Sequence, residues 1–151
     1  MRSLALSPEP KISARRIDLA AGVHLVEPGP RHRLIMHQGP PVLARSTSEG
    51  VSTALHLQRD GDMDFIPAGA TGRWLDEGPS LVLALSLCPS VFTEAAIRLG
   101  RSPRRLRLTP RLSFRDERLA ALARLAPAHG TPHDPGAAAF ADALARAMAV
   151  Q

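Results

Sequence analysis

The sequence predicts a mainly β domain, a small barrel or sandwich, followed by about three α-helices. A chain of 151 residues of which 44% are hydrophobic is long enough to form one packed core. Residues 12–89 contain short apolar runs separated by turn-forming residues, a pattern typical of all-β domains. Residues 90–151 change to apolar residues spaced three or four apart, which is typical of amphipathic helices.

The strand region is clearest at Val51–Leu57, where apolar and polar residues alternate with the period of a half-buried strand. Asp60-Gly61 is a favoured hairpin turn, and Pro67-Ala68-Gly69 is a second turn signal. Residues 1–11 are polar and contain prolines, and we expect a flexible arm there. The other predicted strands are Leu34–Met36, Val42–Arg45, Phe65–Ile66, Arg73–Leu75 and Leu81–Leu87.

The helical region begins after Pro89. Ser90 is the expected N-cap of a helix over Val91–Leu99, and Gly100 fits the position just after its end. A second helix is predicted by leucines at 119, 122 and 125, with Pro127 ending it.

The third helix is predicted over Ala137–Val150, where Phe140, Leu144 and Met148 form an apolar stripe. This stripe can pack on the β domain or on a second subunit, and the pattern leaves both alternatives open. Phe140, Leu144 and Met148 are therefore candidate dimerisation residues of an expected homodimer.

Charge and composition narrow the classes of partner. The formal net charge of +5 comes almost entirely from arginine, while tyrosine is absent and aromatic residues make up 3%. Stacking platforms for single-stranded nucleic acid are therefore lacking. The densest basic run, Arg101–Arg111, contains Pro103 and Pro110 and cannot be one continuous recognition helix, so we expect a solvated connector.

The compartment expected from the sequence is the cytoplasm. No secretory signal is visible in the first ten residues, and the longest apolar run, Leu81–Cys88, is too short to span a bilayer. No membrane partner is expected. Cys88 is the single cysteine, which excludes an internal disulfide, and a buried position is expected for it.

One motif resembles a known signature. Residues 61–69 read Gly-Asp-Met-Asp-Phe-Ile-Pro-Ala-Gly, with the spacing of the second cupin box. This resemblance implies a cupin-like β-barrel, a double-stranded β-helix. A metal-binding cupin carries a histidine three residues after the last glycine, where this chain has Gly72. The chain also lacks a His-any-His pair, so we expect no metal, no other cofactor and no catalytic residue.

The mouth of such a barrel is a usual place for a small ligand. An inward arginine there would suit a carboxylate or phosphate on the ligand. Two alternatives stay open, because Arg45 can point to water and Trp74 can be a core residue. The candidate lining residues are Met36, His37, Arg45, His56, Phe65 and Trp74.

Several segments in order resemble the N-terminal effector-sensing and dimerisation domain of AraC-type transcriptional regulators. They are His32–His37, Gly61–Trp74, Leu81–Pro89, Leu106–Arg111 and Phe114–Asp116, within residues 17–150. The resemblance implies a barrel that binds a small-molecule effector, and DNA contact only through a C-terminal domain that nothing here matches. The chain would then be the isolated sensor domain or a stand-alone relative. The alternatives are a small cupin enzyme with an irregular metal site and a cupin binding protein without a regulatory partner.

Overall fold

The computed structural model describes residues 10–126 and 135–148, and in the last helix the side chains of residues 138–147. The strands are β1 Ile12–Leu19, β2 Gly22–Val26, β3 His32–Gln38, β4 Val42–Ser48, β5 Val51–Ser52, β6 His56–Gln58, β7 Met63–Ile66, β8 Gly72–Asp76, β9 Ser80–Leu87 and β10 Arg111–Phe114. The helices are α1 Pro89–Arg98, α2 Glu117–Arg124 and α3 Pro135–Met148, with a short 3-10 helix at Pro103–Arg105. Of the arm predicted over residues 1–11, residues 1–9 lie outside the described part.

The strands form two antiparallel sheets. Sheet A has the order β1-β9-β3-β7-β10, and sheet B has the order β2-β8-β4-β5, with β6 also paired to β4. The predicted order of strands and then helices is confirmed, but the sheets are not closed into a barrel within the described residues. The strand predicted over Val51–Leu57 is instead the two short strands β5 and β6, and β10 lies at the end of the predicted connector.

The turn at Asp60-Gly61 is not a hairpin turn, because it carries the chain from β6 in sheet B to β7 in sheet A. Gly61 adopts a φ of 92°, in the region that favours glycine. The carboxylates on both sides of this glycine bind the helical segment. Asp60 accepts from Arg124 at 3.1 Å, and Asp62 accepts from Arg115 at 2.9 Å. The turn therefore attaches α2 to the sheets.

Sheet A lies between the helices and sheet B, and its strands alternate accordingly. On β3, His32, Leu34 and Met36 are buried on one face, and Leu34 and Met36 belong to the core that includes the helices. Arg33 and Ile35 lie on the opposite face, toward sheet B. Both faces of sheet A are thus covered, and the helices form a third layer.

The first helix ends as predicted, but it begins differently. Its C-cap is Leu99, and Gly100 follows with a φ of 70° and donates to the carbonyl of Ile97. Ser90 is not the N-cap; that position is Cys88, and Ser90 already lies within the helix. Pro89 begins the helix because its missing N–H has no partner to lose there. Cys88 is half-buried rather than fully buried.

The third helix packs against α1 and α2. Phe140 and Leu144 are buried in the core that these helices share with sheet A, so neither side chain presents an open face to a second subunit. The side chain of Met148, the third candidate dimerisation residue, lies outside the described residues. Within the described chain, no helix is long and apolar enough to cross a membrane.

Candidate functional site

The space between the two sheets is a cavity of about 670 Å³, within the usual range for small-molecule sites. Its polar lining residues are Ser13, Arg15, His24, Glu27, Arg33, His37, Gln58, Asp64, Asp76, Ser80 and Ser86. Its main apolar lining residues are Ile17, Leu19, Val26, Ile35, Val42, Trp74, Val82 and Ala84. A cavity with this mixture can accept a ligand that has both an apolar body and polar ends.

Asp64, the second aspartate of the Gly61–Gly69 motif, is the most buried carboxyl group of the cavity wall. Its Oδ2 accepts from Nε1 of Trp74 at 2.8 Å and from Nε2 of Gln58 at 3.3 Å, and its Oδ1 accepts from the backbone N–H of Ser113 at 2.7 Å. Burial raises the pKa of this carboxyl, and the three donated hydrogen bonds oppose that rise. Asp64 therefore joins β6, β8 and β10 across the sandwich.

Gly72 lies beneath the ring of Trp74. A Cβ atom at residue 72 would stand 2.5 Å from Cη2 and 2.8 Å from Cζ3 of Trp74. The position at which metal-binding cupins carry a histidine is therefore one where this chain has no room for a side chain. Trp74 itself is buried with Ile66 and Ala70, and it also lines the cavity.

We expect Gly72→Ala to lower the free energy of unfolding by about 1–3 kcal/mol, the usual cost of forcing an extra group into a packed core. Chemical unfolding of the purified protein measures this difference. Gly78→Ala is the matched control, since a Cβ atom there meets Val42 only at 4.0 Å. Equal stability of the two variants would show that the Trp74 ring does not occupy this space.

The end of the cavity near Asp76 holds a second set of titratable groups. Asp76 accepts from Oγ of Ser80 at 3.2 Å, and Nε2 of His24 lies 3.7 Å from its Oδ2. Burial raises the pKa of the Asp76 carboxyl, while Ser80, His24 and His37 act in the opposite direction. This end of the cavity combines one acid with two imidazoles.

The structure brings only two of the six candidate ligand residues to the cavity, His37 and Trp74. Met36 and Phe65 are buried on the helix side of sheet A, and Arg45 is exposed on the outer face of sheet B. His56 lies outside the cavity lining, where its Nε2 is 2.6 Å from Oγ of Ser113.

The sequence reasoning missed most of the polar wall. Arg33 lies on β3, Asp64 on β7 and Asp76 on β8. On each strand, the neighbouring residues point to the opposite face of the sheet. Alternation along β3 would have paired Arg33 with His37, which was a candidate. No comparable signal in the sequence marks Asp64, because all four residues of β7 are buried.

No group of three His, Cys, Asp or Glu side chains in the described part of the chain is arranged to hold a metal ion. His24, His37 and Asp76 all belong to the cavity wall.

Comparison with known proteins finds likeness in structure alone. No protein-family model matches the chain, and no curated protein matches it. Among solved structures, the Cnp3 cupin domain of Schizosaccharomyces pombe is 13% identical, with a TM-score of 0.45 over 64% of this chain and 68% of that one. A Cupin 2 conserved barrel domain protein of Salinispora arenicola is 14% identical, with a TM-score of 0.41 over 65% and 79%.

A candidate mannose-6-phosphate isomerase of Ralstonia eutropha is 24% identical, with a TM-score of 0.38 over 53% of this chain and 82% of that one. Two of these three structures are named as cupin proteins. At these identities and TM-scores neither a ligand nor a reaction follows from the likeness.

Proposed function

We propose that this chain is a small-molecule-binding domain that holds its ligand between the two sheets. The observation that carries the proposal is the cavity of about 670 Å³, lined by apolar side chains and by a few polar groups. Ligand sites in proteins typically combine a concave apolar wall with a small number of placed polar groups. The described strands of the two sheets line this cavity without filling it.

We further propose that ligand binding has a regulatory purpose, as in the sensor domain of an AraC-type transcriptional regulator. The proposal draws on the ordered segments that resemble that family and on the contacts of Asp64. Asp64 lines the cavity and binds the backbone of Ser113 in β10, and β10 leads directly to the N-cap of α2 at Asp116. A ligand that prefers one arrangement of β10 would shift the population of the helical layer.

In this proposal the helical layer forms a homodimer through a surface other than the buried Phe140 and Leu144. A DNA-binding domain outside this chain then changes its position with the helical layer. Sedimentation of the purified chain with and without ligand measures the dimer. Two helix-turn-helix motifs in the same reading frame would support the regulatory role, and their absence from the native gene would contradict it.

Binding is tested with a neutral solvatochromic dye such as Nile red, whose fluorescence rises in an apolar site. We expect Ala84→Phe to reduce the dye signal at least about fivefold, because Ala84 lines the cavity and the added ring fills it. Leu75→Phe is the control, since Leu75 lies on the outer face of β8 and is 40% exposed.

Equal dye binding by the two variants would place the dye elsewhere and contradict the proposed site. Stoichiometric metal in the purified protein, lost when His37 is replaced, would instead favour the alternative of a cupin enzyme with an irregular metal site.

A further inference from the structure

We propose that the ligand of this cavity is an amphipathic anion, with a carboxylate or phosphate head group beside Arg33 and an apolar body along the middle of the cavity. This inference rests on the proposed function and names the ligand class. Its basis is the placement of charged groups along the cavity wall, where two guanidinium groups lie at one end and Asp76 lies with the imidazoles of His24 and His37 at the other.

The basic end is formed by Arg33 of β3 and Arg15 of β1. The pairing places Arg33 opposite Ser86 and Arg15 opposite Ala84, so that β9 alone separates the two arginines. Arg33 is half-buried, and its long hydrogen bond to the carbonyl of Glu27 measures 3.4 Å. Arg15 lies at the exposed rim.

Neither of these guanidinium groups forms an ion pair with a carboxylate among residues 10–126 and 135–148. The acidic side chain near them in the cavity wall is Glu27, which is exposed, so solvent screens its charge. Partial burial of an unpaired guanidinium costs free energy, and a ligand oxyanion would offset that cost. Guanidinium groups bind carboxylate and phosphate oxygens through paired, charge-assisted hydrogen bonds.

Asp76 lies at the other end of β9. Asp76 accepts from Ser80, the first residue of β9, whereas Arg33 pairs with Ser86. Six residues of extended strand separate Ser80 from Ser86, or roughly 20 Å. The head group of an anionic ligand is therefore expected beside Arg33, whose guanidinium is not paired with a carboxylate, rather than beside Asp76, whose carboxyl already accepts from Ser80.

The middle of the cavity is apolar. Ile35 and Val82 of sheet A and Trp74 of sheet B line it there. Asp64 also belongs to the cavity wall, but both of its carboxyl oxygens already accept hydrogen bonds from donors of the chain itself. A hydrocarbon body therefore meets apolar walls between the two charged ends, and its burial adds to the binding free energy.

The test uses octanoate, octyl phosphate and 1-octanol as competitors of the neutral dye. We expect at least one of the two anions to displace the dye at a concentration about tenfold lower than that needed for 1-octanol. The reason is that an anion forms charge-assisted hydrogen bonds with a guanidinium group and the alcohol does not. The stronger anion identifies the head group. Arg33→Gln should remove this advantage while leaving displacement by 1-octanol unchanged.

Arg45→Gln is the matched control, since Arg45 is exposed on the outer face of β4. Arg15→Gln, at an exposed position, provides a second variant if Arg33→Gln does not fold, and a loss of about threefold is expected for it. Equal displacement by all three competitors in the native protein would overturn the ligand class and leave the cavity as a binding site. Dye binding unaffected by Ala84→Phe would overturn the proposed site and this inference with it.

Discussion

Replacing Asp64 with alanine is expected to lower the free energy of unfolding by about 2–6 kcal/mol, because each of two donors left without an acceptor costs about 1–3 kcal/mol. The variant leaves the indole N–H of Trp74 and the backbone N–H of Ser113 without their acceptor. Trp74 is buried and Ser113 is half-buried, and a missing hydrogen bond at such positions is costly. Urea unfolding followed by the fluorescence of Trp74, the sole tryptophan, measures the loss.

Two further variants make this result specific. Asp64→Asn keeps one oxygen acceptor and is expected to lose less stability than alanine, since one of the two sets of donors retains its partner. Asp18→Ala removes an exposed carboxylate of β1 and should change stability by less than about 0.5 kcal/mol. If Asp64→Ala is no less stable than Asp18→Ala, then Asp64 does not join the three strands.

The second large effect is the dependence of the free energy of unfolding on pH. Burial lowers the pKa of His32 from 6.5 to about 4. Nδ1 of His32 accepts from the backbone N–H of Ala68 at 2.8 Å, and its ring meets Phe92 edge-on with the centroids 4.9 Å apart. A protonated imidazole would turn this acceptor into a second donor within an aromatic environment.

The direction of that pKa change determines how the free energy of unfolding depends on pH. A histidine whose pKa is lower in the folded state contributes stability above pH 6.5 and loses it as the pH falls toward about 4. The full change is about 3 kcal/mol. We expect His32→Gln, whose amide oxygen can still accept from Ala68, to flatten the dependence of unfolding free energy on pH between 6.5 and 4.

The control for this experiment is Arg45→Gln, because Arg45 is exposed on the outer face of β4 and lies outside the aromatic cluster. That variant should keep the slope of the native protein. A His32→Gln variant with the native slope would mean that His32 is not held neutral by its surroundings. Aspartates and glutamates also titrate in this range, and the comparison between variants removes their common contribution.

Sequence reasoning succeeded where structure is local. The end of α1 was predicted correctly because Gly100 adopts a positive φ, and glycine is the residue that favours this conformation just after a helix. The predicted third helix overlaps most of α3 because its apolar spacing is a property of the segment itself. Ser90 failed as an N-cap because Pro89 also favours a helix start and moved the beginning two residues earlier.

The candidate ligand residues show why the site was harder to predict than the helices. Met36 and His37 are neighbours on β3 and must face opposite sides of the sheet, yet both sides are covered, one by helices and one by sheet B. A strand buried on both faces shows no apolar and polar contrast along its sequence. The sequence therefore contained no signal to show that His37, and not Met36, faces the cavity.

The sequence by itself determined the turn, strand and turn at residues 61–69, the change from strands to helices near Pro89, and the absence of a histidine at residue 72. These are local properties, set by backbone preference and by the spacing of neighbouring residues. Only the tertiary structure decided that Trp74 occupies the space above Gly72. It also decided that Arg33 and Arg15 flank β9, because strand pairing brings together residues that are distant along the chain.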